Sequence, residues 1–203
     1  MEELLTKENL DYRDRAREVA DKYVRPIAAQ LDREARYPWE IVEKLREYKL
    51  MGEWVPKEYG GGDGGVLNLC LIVEELSRAC GGVGVGYAVN ALGSFPIILG
   101  GTEQQKQRWL PDIATGKRLI SFGLSEPTAG SDAGSLKTRA EKQDGHYVLN
   151  GDKKWNTNGG AAEIYTIFCV TNPDRGTRGI SAIRARQFAT LVSFGSDDCA
   201  SSK

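Results

Sequence analysis

Apolar residues recur at helical spacing through roughly the first hundred positions, and the pattern changes to short runs and alternation after Leu119. Tyr12, Ala16, Val19, Ala20, Tyr23, Val24, Ile27 and Leu31 share one helical face. Arg13, Asp14, Arg15, Arg17, Asp21 and Lys22 fill the other, which predicts one amphipathic helix bent near Pro26. Acids and bases alternate along that charged face, so it reads as solvated. A second helix is expected to open at Pro38, whose fixed φ suits a first turn, with Ile41, Val42 and Leu45 inward and Gly52 as its stop. Leu69, Ile72, Val73 and Leu76 mark a third, ended by Cys80-Gly81-Gly82. The segment Val83 to Leu99 is apolar but carries Gly84, Gly86 and Gly93. Each such glycine costs a helix about 1 kcal/mol relative to alanine, so tight packing or close approach of a ligand should compensate. Thr102 and Gln105 have capping-box spacing and start a helix through Trp109 and Leu110 that stops near Gly116.

Beyond that point the candidate strands are Leu119 to Leu124, Leu136 to Glu141, His146 to Asn150, Lys153 to Trp155, Tyr165 to Val170 and Gly179 to Ile183. Turn formers separate them at Asp144-Gly145, Asn150-Gly151 and Pro173-Asp174-Arg175-Gly176. Helices followed by strands predict an α+β chain: an N-terminal all-helical domain over residues 1–118, then an incomplete antiparallel β-barrel domain over residues 119–183.

Length and charge narrow the function classes. The 203 residues are enough for two domains and a substantial core. With 27 basic and 28 acidic residues the net charge is −1, so no basic field points to nucleic acid or an anionic membrane. No apolar run is read as reaching the ~18 residues of a membrane span. Met1-Glu2-Glu3-Leu4-Leu5 lacks the positive end and apolar core of a secretory signal, and a cytoplasmic protein is expected. Cys70, Cys80, Cys169 and Cys199 form no C-x-x-C pair, so neither a metal site nor a disulfide framework is expected. His146 follows a hairpin-turn pair and alternates with Val148, which makes it a strand-face residue and not a base. The run Tyr59 to Gly65 lacks the Lys-Ser/Thr ending and preceding strand of a phosphate loop, and reads as a flexible connector.

The stretch that carries chemistry is Leu124-Ser125-Glu126-Pro127-Thr128-Ala129-Gly130-Ser131-Asp132-Ala133-Gly134-Ser135, echoed by Trp155-Asn156-Thr157-Asn158-Gly159-Gly160. Hydroxyls and glycines directly after a buried strand expose backbone N–H groups suited to anions and carbonyl-rich ring edges, although plain loops use the same residues. The order of residues is more specific. Leu-Ser-Glu-Pro-x-Ala-Gly-Ser-Asp, then Lys-Trp-x-Thr-Asn-Gly-Gly about twenty residues on, closely resembles the flavin-binding signature of acyl-CoA dehydrogenases. Glu74 to Arg78, Asn90-Ala91-Leu92-Gly93, Pro96-Ile97-Ile98 and Gly101 to Lys106 resemble that family's helical segments in the same order. The resemblance runs from about Leu5 to Ile183.

That resemblance implies FAD-dependent α,β-dehydrogenation of an acyl-CoA thioester, with a carboxylate base taking the α proton and the flavin the β hydride. It places Phe122, Leu124 and Ser125 against the flavin ring, Gly130 and Ser131 near the pyrophosphate and the substrate's thioester arm, Trp155 against the ring face and Thr157 towards N5. Asn156 lies between those two in place of the usual apolar residue, and Thr128 stands where glycine is common. Tyr87, Ala88 and Ala91 fall in the region that lines the acyl pocket, where the same small residues suit plain helix packing equally well. Trp155 would otherwise be a core aromatic, and Ser125 and Thr157 would satisfy their own turns. Implied partners are an acyl-CoA substrate, an electron-transferring flavoprotein as acceptor, and further copies of the chain as in intact relatives.

The resemblance assigns Glu126 no catalytic role. It puts the base in a further C-terminal helical domain, so no residue of this chain is named as the base. After Ile183, Arg184-Ala185-Arg186-Gln187-Phe188-Ala189-Thr190 leaves the family pattern, and residues 184–203 are expected to be a non-family, disordered tail produced by a frameshift or early stop. A half-built barrel should be marginally stable, and activity of this chain is in question. The competing expectation is a non-catalytic remnant that associates with full-length relatives through its helices.

Overall fold

The computed structural model describes residues 4–186. Thr6 caps α1 (Lys7–Val19): its hydroxyl accepts from the N–H of Asn9, whose side chain returns the bond to Thr6 N. The predicted bend is real but is spread over a π-helical turn, Ala20–Val24, and a 3₁₀ turn, Arg25–Ile27, before the chain continues as α2 (Ala28–Glu34). Pro26 lacks the N–H that a continuous α-helix would need there, and the wider turn ahead of it absorbs the mismatch. Helix α3 (Trp39–Glu47) begins one residue after Pro38, which serves as its cap position, and ends five residues before Gly52. Helix α4 (Gly65–Ala79) is followed almost directly by α5 (Gly81–Gly100), broken only at Cys80, whose backbone is extended. The Thr102–Gln105 capping box opens α6 (Glu103–Ala114).

One core unites these helices: Ala16, Val19 and Val24, Ile41 and Leu45, Ile72 and Leu76, and Leu110 and Ile113 are all essentially inaccessible to solvent. Glu75, which sits in the Glu74–Arg78 segment, is buried between Arg17 of α1 and Arg78, and Arg78 in turn pairs with Asp21. Those ion pairs lock α1 onto α4 at its solvent rim. The run Tyr59 to Gly65 is no flexible connector. It folds back on the preceding segment through Gly62 N to Gly52 O at 3.2 Å and Asp63 N to Val55 O at 3.0 Å.

Five strands follow: β1 (Ile120–Gly123), β2 (Arg139–Gln143), β3 (His146–Asn150), β4 (Ile164–Val170) and β5 (Ile180–Arg186). The α+β class holds, and among the described residues the sheet is open, as an incomplete barrel would be, but its strands are mixed in direction where an antiparallel set was expected. Central strand β4 runs parallel to β1 on one edge, meets β2 in parallel register at Val170, and pairs along its whole length with antiparallel β5 on the other. Among the described strands only the β2–β3 hairpin and the β4–β5 pair are antiparallel. The expected strand at Lys153 to Trp155 is absent, because Trp155 takes a left-handed φ of 61° that breaks any extended run. The chain leaves the expected boundary at Ile183 still in strand: Arg184, Ala185 and Arg186 pair with Thr166, Tyr165 and Ile164. The rest of the predicted tail lies outside the described residues.

Helix α5 joins the two parts. It carries no charged residue, and by length and composition it could cross a bilayer, which corrects the expectation that no run is long enough. Here it is the hub on which α4, α6, β1 and β4 pack. Gly93 lets it approach the sheet: a Cβ there would lie 2.9 Å from Ile120 Cγ1, and Thr166 Oγ1 donates to the Gly93 carbonyl at 2.7 Å. Its Asn90 side chain accepts from Ile120 N at 3.1 Å and donates to the carbonyls of Gly86 and Tyr87.

Candidate functional site

Strand β1 ends at Gly123, and the chain turns into the serine- and glycine-bearing loop. A tight turn closes it, with Glu126 N donating to Ala129 O at 2.8 Å and Ala129 N to Glu126 O at 3.2 Å. What holds the loop to the rest is a buried ion pair that motif reading missed. Lys153 Nζ lies 2.8 Å from Glu126 Oε1, with the two side chains 6% and 4% exposed. The same carboxylate accepts from Lys137 N at 2.7 Å and Thr138 N at 2.9 Å. Burial alone would raise the Glu126 pKa, but Lys153 and the Thr138 and Lys137 donors together outweigh it and hold the carboxyl down at about 2. So low a pKa makes Glu126 an anchor and a poor proton acceptor, in line with the absence of a catalytic role in the motif.

Through Lys153 the loop is bound to the second corner. Lys153 Nζ also donates to Leu124 O at 2.9 Å, and Lys154 N donates to Ser125 O at 2.8 Å. The carbonyls of Leu124 and Ser125 are thereby fixed beside the turn that begins at Trp155. That turn is compact: Thr157 N donates to Trp155 O, Gly159 N to Asn156 O, and Ala162 N to Asn158 O. Ser121 Oγ of β1 donates to Thr157 O at 2.8 Å. Asn158, buried and likewise not picked out from the sequence, donates to the carbonyls of Gly86 on α5 and Ile120 on β1 and accepts from Tyr37 OH at 2.9 Å. Burial, and then the Glu163 charge, push the Tyr37 phenol up to about 12, so it remains a donor to Asn158 at ordinary pH.

Trp155 is the outlier of the site. It is 85% exposed, and its φ of 61° is one that large side chains rarely take. A bulky residue in a left-handed conformation costs free energy that packing usually offsets, and within the described residues no packing does so. Beside it, the Asn156 Oδ1 atom is buried and has no hydrogen-bond partner among the described residues. The uncovered indole fits a flat group laid against its face; the Asn156 Oδ1 atom faces inward towards Gly123 of β1 and offers no accessible acceptor.

The structure therefore brings together Leu124, Ser125, Trp155, Asn156 and Thr157. Phe122 is half-buried with its ring on Phe168, centroids 5.3 Å apart, so its main chain and not its ring is the part offered to the site. Gly130 and Ser131 are exposed, beyond the Glu126–Ala129 turn. Of the residues expected on the substrate side, Ala88 is half-buried, but Tyr87 and Ala91 point into the helical core. The Tyr87 hydroxyl is taken up by Leu50 O at 2.6 Å and its ring meets Trp54 edge-on at 5.7 Å, so it offers no surface to a ligand. Helix α5 is apolar nearly all round, and no periodicity could tell which side faces the site. Cys70, Cys80, Cys169 and His146 stay outside it, and Cys199 lies outside the described residues. Cys70 is exposed, Cys80 half-buried and Cys169 buried, while His146 is exposed with Nδ1 near Asp144 O. No cluster of three or more metal-ligating side chains occurs among the described residues.

Comparison with known proteins gives a consistent result. The family described as "Acyl-CoA dehydrogenase, N-terminal domain" matches residues 6–117, and "Acyl-CoA dehydrogenase, middle domain" matches residues 121–193. A short-chain-specific acyl-CoA dehydrogenase of Clostridium acetobutylicum is 44% identical over 179 residues, which are 88% of this chain and 47% of that protein. The butyryl-CoA dehydrogenase structure from Megasphaera elsdenii superposes with a TM-score of 0.84 at 37% identity, covering 92% of this chain and 50% of that one. A glutaryl-CoA dehydrogenase from Mycobacterium smegmatis, solved in complex with FADH2, superposes with a TM-score of 0.82 at 28% identity, covering 92% of this chain and 47% of that one. The chain thus spans about half the length of the relatives it matches. With both domain matches in sequence order, the fold shared at high similarity and the two signature corners joined through Lys153 and Lys154, the chain belongs to the acyl-CoA dehydrogenase family.

Proposed function

We propose that this chain holds FAD at the Leu124–Ser125 and Trp155–Thr157 corner and serves the α,β-dehydrogenation of an acyl-CoA thioester. The observation that carries the reading is Trp155, held 85% exposed at a left-handed φ directly beside the carbonyls fixed by Lys153 and Lys154. When bound, FAD would supply the acceptor for the β hydride. The chain's own part is to bind and orient. Trp155 offers a face for the ring, Thr157 a hydroxyl and the Leu124–Ser125 main chain the opposing wall, while Asn156 holds the turn between Trp155 and Thr157, its carbonyl accepting from Gly159 N. Gly130 and Ser131 are assigned to the pyrophosphate and the thioester arm, with Ala88 on the acyl side. Tyr87 and Ala91 would shape that side from beneath, through the core.

A short acyl thioester is the substrate class to try first, because the similar proteins include one named short-chain specific and one named for butyryl-CoA. An electron-transferring flavoprotein as acceptor, self-association and a cytoplasmic location complete the proposal. The test is the visible spectrum of the purified chain with FAD, followed by addition of butyryl-CoA under anaerobic conditions. A protein-bound flavin band that bleaches on adding the thioester supports dehydrogenation. A bound flavin that does not bleach limits this chain to cofactor binding.

One observation favours a second role, association with a longer relative. Val85, Leu92 and Leu99 are exposed at seven-residue intervals on α5, a stripe of apolar side chains on one helical face. Colourless protein that co-purifies with a full-length dehydrogenase would support this role over the first.

A further inference from the structure

Glu53 lies in the segment that follows α3 and is not one of the residues of the Leu124–Ser125 and Trp155–Thr157 corner. It is 1% exposed, and neither carboxyl oxygen has a hydrogen-bond partner among the described residues. The groups around it bring no compensating cation. From α1 come Glu8 and Tyr12; Arg15 is stacked 4.4 Å over the Tyr12 ring and spends its guanidinium on Tyr48 O and Asp11. From α5 comes Tyr87, whose hydroxyl donates to Leu50 O. From α4 comes the side-chain amide of Asn68.

The Gly60–Gly65 strap covers this carboxyl. Gly64 N donates to Glu53 O at 3.0 Å, and a Cβ on Gly64 would fall 1.7 Å from Glu53 Oε1, so any side chain there would push the carboxyl aside. Gly60, Asp63 and Gly65 all take positive φ to make the fold-back. The strap runs straight into α4, and Asn68 continues the connection: its carboxamide oxygen accepts from Asn9 Nδ2, and Asn9 Oδ1 accepts from Thr6 N in the cap of α1. A hydrogen-bonded thread therefore leads from Asn68, whose amide lies beside the buried carboxyl, to the N-terminal end of α1.

We propose that the Gly60–Gly65 strap is a proton-operated latch, held shut over the α1–α4 seam by the neutral Glu53 carboxyl and released when that carboxyl ionises. A neutral carboxyl is tolerated in such a place, whereas a carboxylate with no counter-ion is strongly disfavoured. Burial is the largest influence and raises the pKa; Asn68 opposes it and the charge of Glu8 adds to it, bringing the value from 4.5 to about 7. The sign follows. The shut strap binds the proton more tightly than the open one, so closure is fully favoured below about 4.5. It weakens about tenfold per pH unit between there and about 7, and is flat above that.

Amide hydrogen exchange on the full chain reads this directly. The exchange of residues 60–65, corrected for its intrinsic pH dependence and divided by that of α5 in the same sample, should rise about fortyfold from pH 5 to pH 7, about twofold more by pH 8, and then level off. The E53Q variant, neutral at every pH, should show no rise. A wild-type ratio that is flat across this window, or that keeps climbing to pH 9, overturns the latch. So does an E53Q chain that follows the wild type. Should E53Q fail to fold, the position of the wild-type plateau still decides.

Discussion

Trp155 and Glu126 show what single residues contribute. Because Trp155 is exposed, W155A should leave the urea midpoint of the chain within about 0.5 kcal/mol of wild type. It should weaken FAD binding by roughly tenfold or more, since a stacked aromatic contributes of the order of 1–3 kcal/mol. Glu126 is the reverse case. E126Q would leave the Lys153 ammonium buried without its partner and should cost about 3–5 kcal/mol. The folded-state pKa of Glu126 is depressed to about 2, so its contribution is complete above about 4.5 and is lost as pH falls through about 2. Urea midpoints measured from pH 5 to pH 2 should therefore fall more steeply in wild type than in E126Q. The sequence singles out Ser125, Trp155 and Thr157 because residue types in a fixed order carry the signature, and the structure sets them at one corner. The Lys153–Glu126 pair and the partners of Asn158 were not legible, because they are set by how β1, α5 and the turn meet in space, and no local spacing records that.

At the level of elements, the helices were the readable part. Their apolar spacing and the Thr102–Gln105 box survive almost unchanged, while the ends move by a few residues at Pro38 and Gly52. The sheet was less readable. Alternation marks a strand but does not say which neighbour it takes or in which direction, so parallel β1–β4 pairing was invisible. Helix α5 was ambiguous for another reason: its apolar positions surround the axis, which hid both its bilayer-like length and the inward turn of Tyr87 and Ala91. Its glycines have the packing role that the sequence left open. G93V would drive a side chain into Ile120, and a loss of about 1–3 kcal/mol or more in thermal or urea unfolding is expected. N90A should be milder at the same seam, because it removes an acceptor from Ile120 N without adding bulk.

For the whole molecule, α5 and Asn158 tie the helical part to the sheet, so the Leu124–Ser125 and Trp155–Thr157 corner rests on both. The surface around it is unfinished by the standard of a stable monomer. Val85, Leu92 and Leu99 are exposed, and the sheet is not closed among the described residues. Light scattering of the purified chain should accordingly show association that grows with concentration, and a monodisperse monomer at high concentration would argue against it. The central claim is the flavin grip itself. Titrating the purified chain with FAD, and following both flavin absorbance and retention through a desalting column, tests it most directly. The account predicts a saturable shift in wild type, carried through the column and lost in W155A. An unshifted spectrum with all FAD separating from folded wild-type chain would contradict it, as would equal retention by the W155A variant.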